Sequence, residues 1–77
     1  MHNVYRIDSG LYYTGISLVA ADNVDEANQI IKSFKDEDKS NLLDSYGYEY
    51  VSEDNMMDGI FSERKGIILS GIYYSYR

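Results

Sequence analysis

Residues 23–38, NVDEANQIIKSFKDED, constrain the chain more than any other stretch. Val24, Ala27, Ile30, Ile31 and Phe34 recur at i, i+3, i+6, i+7 and i+10, which places them on one stripe of a helix with a period of about 3.6 residues. Asn23 suits the N-cap, and Glu26 three residues later completes a capping box. Asp25 and Glu26 stand in the first turn and Lys32 and Lys35 in the last, the order that complements the helix dipole. A helix with a single apolar face has to lie on another layer, and the rest of the chain offers only β-prone segments for that layer.

Those segments fall on both sides of the helix. Residues 3–8 (NVYRID) alternate, with Tyr5 and Ile7 on one face and Val4 and Arg6 on the other. The turn DSG (8–10) leads to a longer strand at 11–21, with Ile16, Leu18 and Ala20 on one side and Ser17, Val19 and Ala21 on the other. Together they read as a hairpin, with Gly15 marking a bulge or a close backbone approach. After the helix and the charged connection 36–41, the run YGYEYVS (46–52) reads as a third strand, with Tyr46, Tyr48 and Tyr50 on one face and Glu49 and Val51 on the other. Residues 52–59 read as a loop or one helical turn, capped by Ser52 and stopped by Gly59. ERKG (63–66) is a turn, and 66–77 is the last strand. The order β-β-α-β-β predicts an α+β fold: a four-stranded, mainly antiparallel sheet with one helix packed on one face. The other face then meets water or a partner. The last strand, over 66–76, is expected to be a sheet edge that invites a second copy.

Seventy-seven residues form one small domain, 1–77, which buries only about 60% of the surface its unfolded chain exposes. The hydrophobic share of 44% argues against disorder, and without cysteine the core has no disulfide to support it. No apolar run reaches the roughly 18 residues of a membrane span, and MHNVYRIDSG lacks the pattern of a signal peptide; the expected location is the cytoplasm. Thirteen acids against seven bases give a net charge of −6, which repels phosphate backbones and acidic membranes and speaks against direct nucleic-acid or membrane binding.

Tyrosine is the unusual residue, with nine in the chain. Tyr12 and Tyr13, then Tyr46, Tyr48 and Tyr50, then Tyr73, Tyr74 and Tyr76 all fall on predicted strands. Cross-strand aromatic pairs stabilise a sheet by roughly 0.2–1 kcal/mol each, so a structural role is available. Tyrosine is also enriched at protein interfaces and among their hot spots. Base stacking would need a basic groove, and Arg6, Arg64, Lys65 and Arg77 make no basic stripe. In NMMDGIF (55–61), adjacent Met56 and Met57 cannot both enter one core from an extended segment, so one of them, with Phe61, is exposed or caps the core edge.

The patterns of catalysis and metal binding are poor. Aligned to a calcium loop, 36–44 supplies Asp36, Asp38, Ser40, the Leu42 carbonyl and Asp44, but Asn41 stands where the loop needs glycine and Gly47 where it needs a bidentate glutamate. The sole histidine, His2, sits at an end expected to fray, and a general base needs fixed geometry. No phosphate-binding glycine spacing occurs. The chain is read as a non-catalytic interaction protein, without cofactor or metal. Its expected contacts with a protein partner or a second copy are Tyr46, Tyr48, Tyr50, Tyr73, Tyr74 and Tyr76 on the open sheet face. The alternative is an acidic inhibitor or nucleic-acid mimic, of the kind phage and mobile elements carry, presenting Asp36, Glu37, Asp38, Glu53, Asp54 and Asp58 to a basic protein surface.

Overall fold

The β-prone segments and the helix assemble, in a computed structural model that describes residues 1–7, 13–14, 17–37, 50–70 and 73–74, into an antiparallel sheet with one helix laid on it. The elements in chain order are β1 (His2–Ile7), β2 (Tyr13–Thr14), β3 (Ser17–Ala21), α1 (Val24–Glu37), a 3₁₀ turn (Glu53–Asn55), β4 (Met56–Ser62), β5 (Gly66–Ser70) and β6 (Tyr73–Tyr74). The four-stranded sheet has the order β4-β1-β3-β5, and β2 and β6 form a separate two-stranded ladder, Tyr13 opposite Tyr74 and Thr14 opposite Tyr73. The first hairpin therefore lies in the centre of the sheet, with Asn3 opposite Ala21 and Ile7 opposite Ser17. The two later strands take the edges.

Burial follows the predicted alternation. Tyr5, Ile7, Val19 and Ala21 from the sheet, Ala27 and Ile31 from α1, and Val51 form the core, with Val24, Ile30, Phe34 and Ile67 packed around it. Every member of the helical stripe read from the sequence lies in or against this core. The cap is also where it was expected: the Glu26 N–H donates to Asn23 Oδ1 at 2.8 Å, and Ala27 N donates to the Asn23 carbonyl at 3.0 Å. The return bond differs by one residue. Glu26 Oε1 accepts from the backbone N–H of Asp22 at 2.9 Å rather than from that of Asn23.

Of the third strand predicted over 46–52, residues 46–49 lie outside the described residues, and the described remainder, 50–52, is not strand. The strand that completes the sheet is Met56–Ser62, inside the stretch read as loop or turn. Ser52 does open a helical turn as predicted: its N–H and hydroxyl both donate to Asn55 Oδ1, at 2.9 and 3.1 Å. Gly59 does not stop that turn; it sits within β4 at φ +76°. There the register jumps, because Asn3 faces Phe61 and Tyr5 faces Met56, so residues 57–60 stand against Val4 alone. A bulge of this kind bends a strand and breaks the regular ladder.

The second correction concerns His2. It opens β1 opposite Ser62 instead of fraying, because its ring has a partner in Asp22.

Candidate functional site

Of the six tyrosines expected to form the contact surface, Tyr46, Tyr48 and Tyr76 lie outside the described residues. Tyr73 and Tyr74 are on β6. Tyr50 is exposed (56%), next to Val51, which is buried (5%). Alternation therefore separates these two neighbours as predicted, although no strand carries them. The position of Val51 is set from α1. The Asn28 amide donates from Nδ2 to the Val51 carbonyl at 3.0 Å and accepts from the Val51 N–H at 2.8 Å. One side chain thus pairs both backbone groups of a residue that has no strand neighbour, as a sheet partner would. Asn28 went unnoticed in the sequence; the available signal was an amide side chain beside the apolar stripe, one position after Ala27.

The face turned away from α1 is only partly open. Val4 and Ala20, which face each other across β1 and β3, are 1% and 0% exposed and stand apart from the core under the helix. Further along that face, Arg6 is exposed, Leu18 is half-buried and Leu69, opposite Leu18, is exposed.

Apolar exposure concentrates instead along the β4 edge and the segment leading into it. Met56, Ile60 and Phe61 are exposed on that strand, and Tyr50 precedes it. Asp58 is the sole charged residue in MMDGIFS, while Glu53 and Asp54 stand exposed on the turn just before it. Of the two methionines, Met56 is the exposed one and Met57 is half-buried. Of the acids proposed for a mimic, Glu53, Asp54 and Asp58 are exposed on the 3₁₀ turn and β4, Asp36 and Glu37 end α1, and Asp38 lies outside the described residues. The calcium-loop alignment over 36–44 likewise falls outside them except for those two helical positions. Among the described residues, no group of three His, Cys, Asp or Glu is placed to hold a metal ion, and no helix is long and apolar enough to cross a membrane.

At the end of the sheet where β1 starts and β3 stops, the 63–65 link runs from one edge strand to the other. It crosses the central hairpin and carries Lys65 onto two carboxylates. Lys65 Nζ donates to Asp22 Oδ2 at 3.2 Å and to Glu26 Oε2 at 3.1 Å, and His2 Nδ1 bonds Asp22 Oδ1. The bonds from His2 and then Lys65 hold the Asp22 carboxyl below its ordinary value. The Asp22 N–H and then Lys65 do the same for Glu26. In return, Glu26 and then Asp22 push the Lys65 ammonium up. These groups sit at the surface, where solvent screens an ion pair and leaves it little weight in stability. Their effect is positional, joining the start of β1, the β3–α1 joint and the link.

No family model matches the chain, and no curated protein and no solved structure matches it.

Proposed function

We propose that this protein is a non-catalytic interaction module of the cytoplasm that pairs with a second copy of itself through the β4 edge. The observation that carries the reading is the set of apolar side chains left exposed there, Met56, Ile60 and Phe61, with Tyr50 beside them. Aromatic residues and methionine are the types enriched in the buried centres of protein interfaces. The proposed surface keeps Tyr50 from the tyrosine set and moves its centre onto β4. The bulge at 57–60 makes regular strand-to-strand addition difficult, so contact runs through side chains rather than through a continued ladder.

The strand itself carries one acid, Asp58, and Glu53 and Asp54 stand on the turn before it. Two such chains repel at long range, and salt screens that repulsion within about 10 Å at 0.1 M. Self-association should therefore tighten as salt is added, whereas docking of the acidic surface onto a basic protein would weaken. Sedimentation equilibrium over a wide concentration range, at low and high salt, tests this. A dimer that strengthens with salt and is lost in Phe61→Ser supports the reading; a monomer at every concentration and salt overturns it.

A further inference from the structure

A second feature lies at the opposite edge of the sheet. Here α1 overhangs β5, and an open groove of about 630 Å³ runs between them, lined by Glu26, Gln29, Ile30, Ser33, Phe34, Lys65 and Ile67. Its volume is that of ligand-binding clefts, roughly 300–1,000 Å³. Ile30, Phe34 and Ile67 supply the apolar side chains, all three partly buried against the core. Gln29 and Ser33, one helical turn apart and exposed, supply the polar rim. β5 is the outermost strand of the four, and an outermost strand presents alternate N–H and C=O groups sideways. Its sequence, GIILS, has no charge to discourage an added strand.

We infer that this groove binds an extended protein segment, which adds to the outer side of β5 and sets alternate apolar side chains beneath α1. An outermost strand beside an apolar groove under a helix meets the physical requirements for recognition by strand addition: main-chain bonds provide affinity and the groove reads apolar side chains of the added strand. Charge fixes the ligand further. Lys65 is held by Glu26 and Asp22, and Asp25 lies in the same first turn of α1. Three carboxylates therefore stand against one ammonium at this end of the groove, and His2 is already engaged by Asp22. The segment that fits is apolar at the positions facing Ile30, Phe34 and Ile67, and carries lysine or arginine where it passes the start of α1.

The test is a titration of the ¹⁵N-labelled full chain with a synthetic peptide, acetyl-Lys-Val-Thr-Val-Thr-Val-Lys-amide, followed by amide shifts. A control peptide of the same sequence is N-methylated at alternate residues, so that it keeps the side chains but cannot pair as a strand. The expected result is a set of shifts centred on β5 and the facing side of α1, with the N-methylated peptide about tenfold weaker, the loss of two net hydrogen bonds. Ser33→Lys, a change at an exposed position on the groove wall, should weaken the unmodified peptide by a similar factor. Phe61→Ser should bind it unchanged, which separates this site from the β4 edge. Equal binding of both peptides, shifts centred on 56–62, or no shifts at millimolar peptide would overturn the inference.

Discussion

The two halves of the sheet are closed by different means. Over β3 and β5 lies α1, fourteen residues long, and its stripe closes the core with side chains such as Ala27 and Ile31, both at 0% exposure. Over β1 and β4 there is the short segment from Tyr50 to Asn55, which sends one buried side chain, Val51, into the core and depends on Asn28 to keep it there. The first half ends in a groove and the second in an exposed apolar edge. A helix about 10 Å across cannot cover four strands spaced about 4.8 Å apart, so a sheet of this width leaves its far side to whatever loop can be pinned over it. The half without a helix leaves its apolar side chains on an open edge, whereas the helix-covered half leaves them inside a groove.

Changes on the two sides should therefore differ in size. The largest effect is expected under the helix. Ile31→Ala removes a fully buried side chain and should cost about 2–5 kcal/mol. A chain of 77 residues has only about 4–12 kcal/mol of stability in total, so the urea midpoint of this variant should fall by roughly half. Across the sheet, Asn28→Ala leaves both backbone groups of Val51 without their partner and should cost about 1–3 kcal/mol. Hydrogen exchange should then quicken at 51–56 well before it quickens at β3, and equal acceleration in both places would mean the two halves are not separable. Gly59→Ala meets no steric neighbour, yet φ is +76°, and an L-residue there should cost about 1–2 kcal/mol. Thermal melting measures it, and D-alanine at the same position should recover the loss.

The smallest effect belongs to Lys65→Met, and its signature is its pH dependence. Asp22 and Glu26 titrate below 3.8 and 4.5, so the stability they contribute is present above those values and is lost as pH falls through their lowered folded values. Lys65 titrates above 10.5, so its contribution is present below that value and is lost as pH rises through the raised one. The difference in melting temperature between wild type and Lys65→Met should be constant between about pH 5 and 10 and should shrink at both ends. A difference that changes near pH 7 would assign the effect to something other than these pairs.

Much of the helix and of the central hairpin was legible in the sequence, because burial on one face writes a period into the residues. The stripe from Val24 to Phe34, the Asn23 cap and the alternation of β1 and β3 all carry that mark. β4 carries none. Its residues are exposed or half-buried along its whole length, so MMDGIFS has no reason to alternate, and a bulge around Gly59 breaks what period a strand would have. The regular tyrosines upstream drew the strand assignment to 46–52 instead. The clamp on Val51 and the bonds of His2 and Lys65 to Asp22 join residues 20 to 43 positions apart, and local pattern does not report such contacts.

The order of the strands also bears on how the molecule is made. Its central pair, β1 and β3, is complete by residue 21, whereas the strands that flank it run over 56–62 and 66–70. Asn3 waits for Phe61. During synthesis, at about 5–20 residues per second, the hairpin therefore spends several seconds with both of its sides unpaired. Contacts this distant in sequence are also slow to close once the chain is free. Sheet completion waits until residues 56–70 have left the ribosome, so a chain truncated before residue 56 would keep an apolar hairpin with two bare edges, a ready template for aggregation.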